Sequence, residues 1–207
     1  MSAAPEPNVR RGRRQLLALA ALFFVPLVVA FWLYYGSAHW RPRGGTNQGD
    51  LIEPARPLPE VSLLQADGRP TAPGFLRGQW TLLYVGDGAC EERCRKALYL
   101  MRQTRLALNK DMKRVQRVFL VSGRCCNRSF LAAEHPGLII ARLDADGDLG
   151  AKLLEAFPTY GGTPPAVAGR IYVVDPLGNL MMSYSSSAPD KAVLADLRKL
   201  LRLSHIG

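Results

Sequence analysis

Four cysteines carry most of the reactive chemistry available to this 207-residue chain. Cys90 and Cys94 are spaced C-x3-C, and Cys125 and Cys126 are adjacent. The first pair follows the apolar, β-rich run Trp80-Thr81-Leu82-Leu83-Tyr84-Val85 and the glycines Gly86 and Gly88. A helical pattern comes next. A strand that delivers thiols to a helix N-terminus is a recurrent way to make sulfur reactive, because the free N–H groups and the helix dipole there favour the thiolate. If both cysteines are helical, the i, i+4 spacing puts them on one face, within reach of one disulfide or one metal ion. Two buried structural cysteines are the bland alternative. Cys90 is the expected attacking thiol because it is nearer the helix start. Cys94 falls a turn further in, on the apolar stripe with Ala97 and Met101.

The elements that must position these residues follow from periodicity. Ala97, Leu98, Leu100, Met101, Thr104, Ala107 and Leu108 recur at helical spacing, with Arg95, Arg102, Arg105 and Asn109 on the other side. Met101 on that stripe reads as core rather than as a metal ligand. Short strands are expected at 61–64, 80–85, 115–121, 138–143, 170–174 and 180–184. The last two are joined by the turn Asp175-Pro176-Leu177-Gly178-Asn179. Helices are expected at about 148–157 and 188–203. Asp144, Asp146 and Asp148 alternate as in a calcium loop, but Leu149 stands where that loop needs glycine, so a helix N-cap is the better reading. The order β–β–α–β–β–α–ββ–α predicts an α/β fold with a mixed sheet flanked by helices.

The N-terminal part is different in kind. Residues 16–35 carry no charge and are almost wholly apolar, enough for a single transmembrane helix. Pro26 is tolerable there, and Trp32, Tyr34, Tyr35 and Trp40 crowd its C-terminal end as an interfacial belt does. Arg10, Arg11, Arg13 and Arg14 precede the run, so residues 1–15 are expected in the cytoplasm and the rest across the membrane. Gly36-Ser37-Ala38 has the small-x-small shape of a cleavage site, but the apolar run exceeds a signal-peptide core, which favours a retained anchor. Residues 36–57, rich in Pro, Gly and Arg, are expected to be an extended linker, leaving 58–207 as the domain. The chain carries 27 basic and 17 acidic residues, a net charge of +10. That excess fits anionic head groups or acidic partners. No nucleic-acid motif accompanies it, so no nucleic-acid partner is expected.

Asp67-Gly68-Arg69-Pro70, Leu76-Arg77-Gly78, Trp80-Thr81-Leu82-Leu83-Tyr84, the Cys90/Cys94 pair and Tyr172-Val173-Val174-Asp175-Pro176-Leu177-Gly178 together resemble the SCO/SenC family of thioredoxin-fold proteins. The family comprises membrane-anchored copper chaperones or thiol oxidoreductases for cytochrome c oxidase assembly. The resemblance spans about residues 58–207 and implies a thioredoxin-like mixed sheet behind the anchor. It further implies a bacterial inner (cytoplasmic) membrane location with a periplasmic domain. Its implied partner is the oxidase subunit that carries the dinuclear copper site, and Cys90 and Cys94 would hold Cu(I) or exchange disulfides.

The chain departs from the family pattern in three places. Glu91 and Arg95 follow the cysteines where the family has proline. Val167, between Ala166 and Ala168, occupies the slot of the family's copper-binding histidine. The three histidines, His39, His135 and His205, read as surface residues. Two thiolates without imidazole suit Cu(I) and suit Cu(II) poorly. The resemblance is therefore to a branch without the histidine, in which dithiol chemistry remains intact.

In this fold the strands at 80–85 and 115–122 are parallel neighbours, which brings Cys125 and Cys126 towards the C-x3-C pair as auxiliary thiols. Idle free thiols are not expected beyond the membrane. A cross-bridge to Cys90 or Cys94 is the expected oxidised product, because a bond between adjacent cysteines closes an eight-membered ring. Arg93, Arg95 and Arg124 are expected to stabilise thiolates nearby. A structural bridge, and a non-catalytic membrane-anchored assembly scaffold, remain the alternatives.

Overall fold

The computed structural model describes residues 9–36, 46–145, 147–185, 188–204 and 206–207. His39, Trp40, Asp146, His205 and the Ser37-Ala38 part of the cleavage-like motif lie outside them. The chain divides into two compact units, Met1–Gly45 and Thr46–Gly207.

In the first unit, helix α1 (Val9–Gly36) runs for 28 residues with Pro26 inside it. At 1.5 Å per residue that is about 42 Å, against a hydrocarbon core of about 30 Å. Its large apolar side chains, Leu16, Phe23, Phe24 and Trp32 among them, are exposed. Among the described residues it is the one helix long and apolar enough to cross a membrane.

The second unit is a mixed six-stranded sheet. Its strands are β1 (Asp50–Pro57), β2 (Trp80–Gly86), β3 (Val115–Val121), β4 (Ile139–Arg142), β5 (Ile171–Val174) and β6 (Asn179–Tyr184), in the order β1-β6-β5-β2-β3-β4. Strands β2, β3 and β4 are parallel, and β5, β6 and β1 join antiparallel. The helices are α2 (Glu92–Ala107), α3 (Arg128–Glu134), α4 (Gly147–Glu155), α5 (Pro165–Ala168) and α6 (Ala192–Leu203).

Every residue of β2 is buried, as expected of a central strand covered on both faces. Its pleat splits the core in two. Leu82 and Tyr84 join Phe119, Val121, Met101 and Leu197 on the face of α2 and α6. Leu83 and Val85 join Val118, Leu120, Leu153 and Tyr172 on the face of α4. Met101 is a fully buried core residue, as its place on the stripe implied. The turn after β5 is also as expected. Asp175 Oδ1 accepts from Leu177 N at 2.9 Å and from Asn179 N at 2.8 Å, and Gly178 takes φ +87°.

The structure departs from the sequence expectations in four places. Strand β1 lies inside the stretch expected to be linker. Asp196 on α6 captures the incoming chain there, accepting from Gln48 N at 2.6 Å and Gly49 N at 3.0 Å, and Arg170 pairs with Asp50. The segment at 61–64 does not form a strand and contributes only single bridges, Leu64 with Pro70 and Gln65 with Ala141. Helices α3 and α5 were not anticipated, since seven and four residues show too little periodicity. His135, read as a surface residue, is only 4% exposed. It caps α3 and packs edge-on against Phe130, with ring centroids 5.2 Å apart.

Candidate functional site

Strand β2 runs out at Gly86, and the turn that follows is tightly wound. Asp87 Oδ1 accepts from Ala89 N at 2.7 Å, and Asp87 O accepts from Cys90 N at 3.1 Å. Helix α2 then begins at Glu92 with Glu91 as its N-cap. Cys90 therefore precedes the helix and Cys94 sits in its first turn, so the two do not share a helical face. Cys90 instead has φ +49°, a left-handed conformation rare for a residue with a side chain. Such backbone costs on the order of 1–3 kcal/mol and persists where its surroundings enforce it, commonly at functional sites. Here Cys90 and Cys94 are joined in a disulfide with Cα atoms 5.0 Å apart, within the ordinary range.

The bridge is recessed. Cys90 is 1% exposed and Cys94 5%. Cys94 lines a groove of about 720 Å³ with Tyr84, Asp87, Arg93, Arg124 and Val167. Cys90 borders a shallower recess with Arg95 and Tyr99. Burial pushes the Tyr84 phenol pKa up, an effect partly offset by the Arg93 charge, so the hydroxyl facing the site stays protonated at neutral pH.

The three arginines expected to serve the thiolates are held by other groups. Arg93 donates to Val167 O at 3.3 Å, and its side chain passes so close to Gly169 that a β-carbon there would overlap it. Arg95 donates to Cys90 O at 3.1 Å and lies over the Phe130 ring, 4.8 Å from its centroid. Arg124 is 3.9 Å from Asp87 Oδ2. Arg95 thus fixes the Cys90 backbone, while Arg93 and Arg124 rim the groove.

Cys125 and Cys126 are bonded to each other, with Cα atoms 3.1 Å apart, and no cysteine is free. This corrects the expected cross-bridge. Cys90 and Cys94 satisfy one another across the helix start, which leaves the adjacent pair only its own partner. The two pairs are nonetheless neighbours. Ser122 N donates to Gly86 O and Asn127 N to Gly88 O, each at 2.9 Å. Both vicinal cysteines pack against the cluster that contains Cys90 and Cys94. Gly88 is evident at the strand end from the sequence, but its role, which is to provide the close approach of the two loops, is not. Its signal was a second glycine two residues after the strand-ending Gly86.

The donor set for copper is narrow. Val167 is 60% exposed at the groove, facing the same space as Cys94, and its side chain offers no metal ligand. Among the described residues no group of three or more His, Cys, Asp or Glu is placed to hold a metal ion. Two sulfurs tied in a disulfide do not fit copper. Two reduced thiolates suit Cu(I) and suit Cu(II) poorly.

Residues 80–204 match the family model described as the transmembrane-like, thioredoxin-like, C-terminal domain, and residues 6–37 match the transmembrane-like, N-terminal domain. No curated protein sequence matches the chain significantly. Among solved structures the fold is similar to Bradyrhizobium japonicum ScoI with copper bound, at 20% identity and a TM-score of 0.52, covering 70% of this chain and 98% of that one. It is similar to Arabidopsis thaliana ScoI with copper bound, at 18% identity and a TM-score of 0.57, covering 72% and 100%. It is also similar to BsSco, a member of the Sco family of cytochrome c oxidase assembly proteins, at 13% identity and a TM-score of 0.52, covering 75% and 99%. At these identities the likeness establishes the thioredoxin-like fold expected from the sequence.

Proposed function

Because the chain belongs to the transmembrane-like, thioredoxin-like family, we propose that it is a membrane-anchored thiol–disulfide exchange protein acting through Cys90 and Cys94. The observation that carries this reading is the Cys90–Cys94 bridge at the start of α2, with Cys94 on the wall of the groove. A substrate thiolate attacks one sulfur of the bridge. A mixed disulfide forms and the other sulfur leaves as a thiolate, favoured by the helix N-terminus. The second substrate thiol then attacks the mixed disulfide. The substrate leaves as a disulfide and both cysteines are left as thiols, so two electrons and two protons have moved. The reverse sequence reduces a substrate disulfide. In that direction Cys90 is the proposed attacking thiol.

The likeness to Sco proteins supports a place in cytochrome c oxidase assembly, with the cysteine pair of the oxidase's copper-bearing subunit as substrate. The arginine-rich start of α1 supports a single-pass anchor in a bacterial inner membrane, with the domain in the periplasm. Cu(I) delivery through the reduced Cys90 and Cys94 is the second reading, favoured by the copper-bound relatives. Val167 at the histidine slot weighs against it.

The full-length protein in detergent separates the two. A reduced peptide carrying a cysteine pair should be oxidised by the wild type and not by Cys90→Ser/Cys94→Ser. Tight uptake of one Cu(I) by the reduced protein, with no peptide oxidation by the oxidised form, would replace exchange with metal delivery.

A further inference from the structure

The vicinal bridge sits on the loop next to the one that carries Cys90. The loops after β2 and β3 run side by side, tied by Ser122 N to Gly86 O and by Asn127 N to Gly88 O. Gly88 is two residues from Cys90, and a β-carbon on it would lie 2.9 Å from the Cys125 Cα. Arg124, which immediately precedes the vicinal pair, lines the same groove as Cys94 and pairs with Asp87 of the first loop. Phe130 of α3, just beyond the pair, carries Arg95, whose other contact is the Cys90 carbonyl. Cys125 and Cys126 are half-buried rather than sealed. Two disulfides thus stand on adjoining, hydrogen-bonded loops and pack against one apolar cluster, and exchange within one molecule requires only that a thiolate of one pair reach a sulfur of the other.

We propose that Cys125–Cys126 is a second redox centre that accepts two electrons from the Cys90/Cys94 dithiol through an intramolecular mixed disulfide. The proposal rests on the reading of Cys90 and Cys94 as the exchange pair. Once a substrate dithiol has reduced that pair and left as a disulfide, one of the two thiols ionises and attacks a sulfur of Cys125–Cys126. A bond forms between the loops, the vicinal S–S bond breaks, and the displaced sulfur takes up a proton. The remaining thiol of the helix pair then attacks its own partner in the mixed disulfide. The Cys90–Cys94 bond re-forms, and the second vicinal sulfur leaves and is protonated. Two electrons and two protons pass from one pair to the other, with the vicinal disulfide as the oxidant. The helix pair is ready for a second substrate, so each chain oxidises two dithiols before it must be reoxidised.

The test counts electrons and traps the bridge, using the full-length protein in detergent and a reduced peptide with a cysteine pair as the probe. Fully oxidised wild type should convert two peptides per chain, and Cys125→Ser/Cys126→Ser should convert one. Four trapping variants each keep one cysteine of each pair: Cys94→Ser/Cys126→Ser, Cys94→Ser/Cys125→Ser, Cys90→Ser/Cys126→Ser and Cys90→Ser/Cys125→Ser. At least one should form an intramolecular bridge between the loops, seen by non-reducing peptide mass spectrometry. One peptide per chain in both the wild type and Cys125→Ser/Cys126→Ser, or no bridge in any trapping variant, overturns the second centre and leaves the exchange reading standing. No turnover in wild type overturns the exchange reading itself.

Discussion

Gly88 packs directly on Cys125: a β-carbon placed on Gly88 would meet the Cys125 Cα at 2.9 Å and overlap the carbonyl oxygen of Arg124. Both obstacles are backbone, so neither can swing aside as a side chain would. Gly88→Ala should therefore destabilise the domain by about 1–3 kcal/mol, the usual cost of overpacking a close contact. Urea denaturation measures this. A midpoint equal to that of the wild type would show that the two loops are not held in register here.

Cys90 should react first once the bridge is reduced. It lies just ahead of the N-cap Glu91 at the mouth of α2, whereas Cys94 is part of the first turn; burial does not separate them, since they are 1% and 5% exposed. Limiting iodoacetamide at neutral pH, followed by peptide mapping, gives the order. Faster labelling of Cys94 would assign the attacking role to the residue that lines the groove.

His135 sets a stability limit on the acid side. Burial lowers its pKa first, Arg117 and Arg102 lower it further, and Glu134 partly offsets them. The imidazole therefore stays neutral in the fold to a pH below its ordinary value of 6.5. An unfolded chain binds this proton more readily than the folded one. The stability it contributes is present above about pH 6.5 and is lost as pH falls through the lower folded value. Denaturation midpoints between pH 7.5 and 5 should fall for the wild type and fall less for His135→Gln. Parallel curves for the two proteins would remove His135 from the account.

The anchor makes a separate prediction about topology. With Arg10, Arg11, Arg13 and Arg14 at the start of α1, a reporter active only in the cytoplasm and fused after Gly207 should stay silent. A periplasm-dependent reporter at the same place should work. The opposite pair of signals would reverse the orientation.

Much of the core and the C-x3-C loop could be read from the chain because their causes are local. Trp80–Gly86 and Val115–Val121 are continuous apolar runs, and Cys94, Ala97, Leu98, Met101 and Thr104 mark the buried side of α2. What could not be read depends on distant partners. Strand β1 contains Pro54, Arg56 and Pro57, which look like linker until β6 pairs with the strand and Asp196 holds Gln48 and Gly49 just ahead of it, both from far along the chain. His135 looks like a loop histidine until α3 turns it beneath Phe130 and beside the buried Arg117. Disulfide pairing is a matter of which sulfurs meet, and spacing alone could not choose between a vicinal bond and a cross-bridge.

Both margins of the sheet are closed to further strands. Beyond β4, residues 64–66 already occupy the outer side, with Ala66 N donating to Ile140 O at 3.1 Å and Arg142 N to Leu64 O at 2.8 Å. At the opposite margin β1 contains two prolines without N–H groups, and its register slips between Leu51 and Arg56. Neither margin offers an uninterrupted ladder that an extended peptide, or a second copy of the chain, could zip onto. For the proposed exchange, this favours recognition of a substrate by side chains over the groove rather than by added main-chain pairing. Affinity should then depend on the few residues flanking the substrate's cysteines, and an otherwise unfolded client would gain no general foothold.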